Sequence, residues 1–327
     1  MKAIVNDEYG PPSALVLRDV PIPAIDADGV RVRVQASSVN PVDWHLLRGE
    51  PYFLRLMFGL RRPKRSIPGV DVAGIVEQVG GNVTELRPGD EVFGSTGGAF
   101  AEYVRGTEEN FAPKPTALGF EQAAAVPVAG CTALEALRDH GRLEPGNSVL
   151  VNGAAGGVGT FAVQIAKALG GEVTAVCSTG TVELVTSLGA DDVVDYTAGD
   201  FTRKGRRYDL VLNVAGNRSL SDLRRAATDH GTVVLVGSGT GREGSSGLVS
   251  PLGQPIHAVV LSRFVGQRLV SFLARVRPDD LRFLARLIEA GKVTPVIDRT
   301  YSLGEVPDAL RYLEQGHVRG KVVVTVG

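Results

Sequence analysis

The sequence predicts an α/β protein, a β-rich first third followed by a doubly wound parallel sheet. Three observations carry this. Residues 149–170, VLVNGAAGGVGTFAVQIAKALG, read as strand, tight turn and helix. Strand-like and helix-like segments then alternate to residue 236, which implies parallel strands joined by right-handed crossovers. The composition, 43% hydrophobic and 22% charged with 41 glycines, is that of a compact protein with many turns. At 327 residues the chain exceeds one small core, so two domains are expected. A net charge of −1 leaves no basic footprint for nucleic acid. Cys131 and Cys177 make neither a metal-type cluster nor a disulfide framework, which points to a reducing compartment. The start, MKAIVNDEYG, lacks an apolar signal core, and no apolar run reaches membrane-spanning length. A cytoplasmic protein without stable membrane insertion is therefore expected.

In chain order, residues 3–5, 30–36, 72–79, 91–93 and 100–104 are short β-prone runs punctuated by Gly and Pro. Arg31, Arg33 and Gln35 alternate with Val30, Val32 and Val34, as in a half-buried strand. The segment 42–63 carries Trp44, Tyr52, Leu56, Met57 and Phe58, and reads either as a helical flap over a pocket or as a packed loop. Residues 123–140 read as one helix. Strands follow at 149–151, 173–176, 193–194, 210–214 and 232–236, with helices at 158–169, 182–188 and 219–228. Residues 255–269 read as a lid or packed helix, with a membrane-surface or homodimer helix as the alternatives. A strand at 269–273, amphipathic helices at 278–290 and 307–314 and a strand at 321–326 complete the chain. Pro278 suits the first turn of its helix.

The turn at Gly153, Ala154, Ala155, Gly156, Gly157 and Val158 is the strongest functional signal. It sets unpaired N–H groups at a helix start, where the helix dipole also favours negative charge. Its small residues let a pyrophosphate approach the backbone. The alternative is a tight strand–helix turn with no ligand.

Further motifs resemble a known family. They are PGVDVAGIVEQVG at 68–80, RPGDEVFG at 87–94, GAFAEYV at 98–104 and PVAGCTALEAL at 127–137, with SLGADDVVDY at 187–196 and GHVRGKVVV at 316–324. With the glycine-rich turn they resemble medium-chain dehydrogenases/reductases of the zinc-independent quinone-oxidoreductase, or zeta-crystallin-like, type. That resemblance implies a GroES-like catalytic domain from residues 1–122 and 291–327. It also implies a Rossmann NADP-binding domain at 123–290, with the active site in the cleft. Zinc-dependent members carry a Cys where this chain has Asn40, and a His–Glu pair where it has Val70 and Asp71. The four-Cys lobe of structural zinc has no counterpart, so no metal site is expected.

An NAD-specific site places an acidic residue about twenty positions past the turn. Here Ser178 and Thr179 stand there, which favours NADP(H); a helix N-cap is their structural alternative. The resemblance adds Tyr196, and puts Thr181 where the family often has a Lys; Arg203 and Arg218 are candidate substitutes. It also adds Thr132, Val214, Ala215, Gly237, Ser238 and Lys321 as cofactor contacts. Thr132 otherwise packs in its helix, and Lys321 is otherwise a surface lysine. A nicotinamide cofactor brings the hydride, so the protein must orient the acceptor and polarise its oxygen. Asn40 is the first candidate donor and Tyr52 the second, with Trp44 as an apolar wall; tying down a loop and plain packing are the alternatives for the first two. The expected activity is NADPH-dependent reduction of quinones or α,β-unsaturated carbonyls. A dinucleotide-binding redox sensor or partner protein and a zinc alcohol dehydrogenase remain as other readings.

Overall fold

A computed structural model describes residues 1–52, 54–64, 66–203, 205–236 and 266–327. The expected contacts Gly237 and Ser238 and most of the 255–269 segment lie outside the described residues. The chain packs as two compact units.

The first unit opens with β1 (Lys2–Val5), β2 (Val16–Asp19) and β3 (Val30–Val39), then helices α1 (Pro41–Arg48) and α2 (Leu54–Phe58). Strands β4 (Asp71–Val79), β5 (Glu91–Ser95), β6 (Tyr103–Gly106) and β7 (Phe111–Pro113) follow. Alternation in β3 works as the pattern requires: Val30, Val32 and Val34 are buried, while Arg33 is exposed. The single helix expected over 123–140 is broken into α3 (Phe120–Ala124), α4 (Pro127–Leu134) and a π-helical turn (Glu135–His140). Pro127 has no N–H to donate, so a helix cannot run through it from α3.

The second unit holds β8 (Ser148–Asn152), α5 (Gly157–Ala168), β9 (Glu172–Cys177), α6 (Val182–Ser187) and β10 (Asp192–Asp195). It continues with β11 (Tyr208–Asn213), α7 (Leu220–Ala226), β12 (Ala227–Val236) and β13 (Arg268–Phe272). Its six strands lie in the order β10-β9-β8-β11-β12-β13, and every pairing is parallel. The order reverses between β8 and β11, and open parallel sheets bind ligands at such a switch point, beyond the carboxyl ends of the strands. The β8–β11 edge is fully apolar in its interior: Val149, Leu150, Val151, Val211 and Leu212 have no exposed surface.

The chain then returns to the first unit as α8 (Pro278–Glu289), β14 (Ile297–Ser302), α9 (Val306–Glu314) and β15 (Lys321–Thr325). Seven strands form a mainly antiparallel sheet, β14-β15-β3-β4-β5-β7 with β6 on β3. The packing units differ from the domain limits expected from sequence. Residues up to Cys131 and Val276–Gly291 pack with the first unit rather than with the parallel sheet. In α8, Leu281, Leu284 and Ile288 are buried, and Glu289 accepts a hydrogen bond from the Thr116 hydroxyl at 2.8 Å.

Candidate functional site

Beyond β8 the chain turns at Gly153, whose φ of +90° is open to glycine. A Cβ there would stand 3.0 Å from Ala215, the second residue past β11, so the two strand ends approach closely at the switch point. Gly156 caps α5, and the N–H groups of Gly157, Val158 and Gly159 have no partner inside the helix. A Cβ on Gly156 would meet only the Gly153 carbonyl, at an ordinary 3.6 Å. A Cβ on Gly159 would stand 2.1 Å from that same oxygen. The first glycine therefore leaves open space, and the second permits close packing. Val214 and Ala215 donate their N–H groups to Asn152 O at 3.0 and 3.2 Å, which ties the ends of β8 and β11 together. Asn152 Nδ2 donates to Asn213 Oδ1 at 2.7 Å. The cradle thus combines free donors, small residues and a fixed strand pair, and it suits a pyrophosphate.

At the end of β9, Ser178 and Thr179 lie where the adenosine ribose of a bound dinucleotide is expected. The structure adds a group that the linear reading missed. Cys177 pairs in register with Asp195 at the end of β10. The Thr179 hydroxyl donates to Asp195 Oδ2 at 2.5 Å, and Thr197 donates its N–H and hydroxyl to Asp195 Oδ1 at 2.8 and 2.7 Å. The Thr179 hydroxyl holds the Asp195 carboxyl below the usual carboxylate range, with Thr197 adding to it. Tyr196 is 47% exposed beside it. Of the two candidate cations, Arg218 reaches Asp200 at 3.5 Å and stacks on Phe201, while the side chain of Arg203 is outside the described residues. Thr132 is buried within α4.

The first unit holds a second cluster, built on Asn40. Asn40 is the N-cap of α1, with Pro41 in the first helical position. Its N–H donates to Asp43 Oδ2 at 2.8 Å, the N3 half of a capping box. Its side chain is fully engaged. Nδ2 donates to Asp71 Oδ2 at 2.8 Å and to Ser38 O at 3.3 Å, while Oδ1 accepts from Lys321 Nζ at 2.6 Å. Lys321 also reaches Val39 O at 3.2 Å and Asp71 Oδ2 at 3.5 Å. The Ser38 hydroxyl and the Val128 N–H complete the shell of Asp71, at 2.6 and 3.0 Å. Lys321 is therefore no surface lysine: it is 3% exposed. Burial lowers its pKa from the usual lysine value, opposed by the Asp71 and Asp43 carboxylates. Burial pushes the Asp43 carboxyl up to about 7, with Asp71 nearby adding to the rise.

The structure thus brings Asn40 and Lys321 together and spends both amide hydrogens of Asn40 inside the fold. A role for Asn40 as direct donor to a substrate oxygen does not fit that geometry; it holds Lys321 and Asp71 instead. Trp44 packs against the core of this unit, donates its ring N–H to Glu314 and lies under Arg48, 5.3 Å from the ring centroid. Tyr52 is 70% exposed, stacks under Arg55 at 4.8 Å, and shares no contact with the Asn40 cluster among the described residues. Asp43 was legible in principle, because N-x-x-D before an apolar run is a capping signature. Asp71 as a hub was not, since its partners come from β3, α4 and β15.

Two family models match the chain, the alcohol dehydrogenase GroES-like domain over residues 26–134 and the zinc-binding dehydrogenase domain over residues 188–324. A chloroplast envelope quinone oxidoreductase homolog of Arabidopsis thaliana is 33% identical, over 99% of this chain and 98% of its own length. The 2-methylene-furan-3-one reductase of Solanum lycopersicum is 35% identical, over 99% and 79%. The solved structure of the quinone oxidoreductase from Coxiella burnetii superposes with a TM-score of 0.87 at 30% identity, over 100% of this chain and 99% of that one. The chain belongs to the medium-chain dehydrogenase/reductase superfamily, alongside its quinone-oxidoreductase members. Zinc, which the second family description implies, does not suit the residues present. An ammonium occupies the centre of the Asn40 cluster, and among the described residues no three His, Cys, Asp or Glu side chains gather as a metal site needs. No helix among the described residues is long and apolar enough to cross a membrane.

Proposed function

We propose that this protein reduces quinones or α,β-unsaturated carbonyls with hydride from NAD(P)H, without a metal. The observation that carries this reading is the glycine-rich turn at the β8–β11 switch point, with open space at Gly156 and free N–H groups at the start of α5. The named activities of the relatives, a quinone oxidoreductase and a methylene-furanone reductase, support the acceptor class. A bound nicotinamide supplies the hydride. Gly157 and Val158 hold the pyrophosphate through their N–H groups, and Val214 and Ala215 line the path beyond β11. Thr132 lies on the α4 stretch that the family reading places near the nicotinamide amide. Tyr52, exposed in the stretch after α1, is the candidate donor to the acceptor oxygen. Asn40, Asp71 and Lys321 act as a positioning unit that fixes the start of α1, the helix preceding Tyr52. The metal-free reading is supported by Lys321, whose ammonium already balances the Asp71 carboxylate.

The expected preference for NADP(H) rested on the lack of an acid after β9. Ser178 and Thr179 still follow β9 with no acid beside them in the chain; Asp195, which receives the Thr179 hydroxyl, ends the neighbouring strand β10 and bears on that preference.

Steady-state oxidation of NADPH and NADH with a panel of quinones and enones tests this function. Turnover with at least one acceptor class, with a lowered kcat in Tyr52→Phe, is expected. Dinucleotide binding without turnover on any acceptor overturns the enzymatic reading in favour of a binding protein.

A further inference from the structure

We infer that Asp195, delivered from the neighbouring strand, selects the dinucleotide by holding the ribose hydroxyls of NAD(H) and opposing the 2′-phosphate of NADP(H). The inference rests on the proposed dinucleotide site. In the usual arrangement the selecting acid ends the second strand of the sheet, about twenty residues beyond the glycine-rich turn. Here that strand is β9, and the position after it carries hydroxyls. The sheet supplies the acid sideways instead. Asp195 ends β10, in register with Cys177 at the end of β9. Its carboxylate reaches the residue that would otherwise receive the phosphate, at 2.5 Å from Thr179 Oγ1.

Three features make Asp195 a selector rather than a neutral neighbour. Its two oxygens are fixed by Thr179 and Thr197, so the charge is held in one place. Those bonds also stabilise the ionised form. And no ion pair to Asp195 occurs among the described residues, where Lys167, Arg206 and Arg218 pair with Asp191, Asp192 and Asp200. A phosphate at about 4 Å from such a carboxylate is disfavoured roughly fivefold per unit of its charge even at the dielectric of water. A ribose hydroxyl, by contrast, can donate to it.

The test compares kcat/KM for NADPH and NADH in the wild type and in Asp195→Asn, with one quinone as acceptor. The wild type is expected to use NADH at least as well as NADPH. Asp195→Asn is expected to raise the NADPH/NADH ratio about tenfold. A second measurement needs no variant: calorimetric competition of ADP and 2′,5′-ADP on the wild type, in which ADP is expected to bind several-fold tighter. A wild type that favours NADPH more than tenfold, or a ratio that moves less than twofold in Asp195→Asn, overturns the assignment while leaving the dinucleotide site standing. If the wild type binds neither nucleotide nor either dinucleotide, the site itself falls and the assignment with it.

Discussion

Gly156 and Gly159 lie three residues apart, and a methyl group meets different surroundings at each. At Gly156 the space is open and the backbone is extended, with φ −83° and ψ 179°. Gly156→Ala should fold normally yet weaken dinucleotide binding by on the order of tenfold, about 1.4 kcal/mol, because the methyl fills the phosphate cradle. At Gly159 the methyl meets a backbone oxygen at 2.1 Å, so Gly159→Ala should lose about 1–3 kcal/mol of stability. Urea unfolding and dinucleotide titration of the two variants separate the effects; equal stability for both contradicts the packing argument. Asp43 gives a second case at this scale. Its folded-state pKa of about 7 lies above the usual aspartate value of 3.8, so the folded protein holds an extra proton between them. Stability from this group is full below the lower value and lost as pH rises through the upper one. Asp43→Asn keeps an acceptor for the Asn40 N–H and removes the titration. Relative to the wild type, the variant should gain stability progressively between pH 3.8 and about 7, by at most about 4 kcal/mol. A difference that does not vary with pH would refute the burial of an ionising Asp43.

Among the elements, α8 shows how a helix chooses its unit. Its apolar stripe, Leu281, Leu284 and Ile288, is buried, and Asp279 and Asp280 occupy its first turn, where the dipole favours them. Leu284→Ala should cost about 2–5 kcal/mol of stability by transfer and cavity terms. Because α8 packs with the antiparallel sheet, the loss belongs to the first unit. In thermal unfolding, the transition that dinucleotide does not raise should move down in the variant; a fall in the dinucleotide-raised transition instead would place α8 with the parallel sheet. The break between α3 and α4 has an equally local cause in Pro127, whose missing N–H outweighs the apolar spacing that predicts a single helix.

For the whole molecule, ligand linkage supplies the measurement. A dinucleotide that binds only the folded state stabilises it by about 2.7 kcal/mol at a hundredfold excess over Kd. The melting temperature should rise accordingly with NADH or NADPH, and adding zinc should leave it unchanged. A rise with zinc alone would contradict the reading of Lys321 as the resident cation.

The sequence alone determined the strand–turn–helix at Gly153–Val158, the strand–helix alternation after it and the alternating face of β3. Each is a short-range pattern, legible because period and turn chemistry act over a few residues. It also exposed Asn40, Ser178, Thr179 and Lys321 as positions of interest. Only tertiary structure decided what those residues touch. Strand register set Asp195 beside Thr179, and the meeting of β3, β4 and β15 buried Lys321 against Asn40 and Asp71. Contacts between residues 16, 250 and 281 positions apart leave no periodic trace in a chain, so they arise from the fold and from nothing shorter.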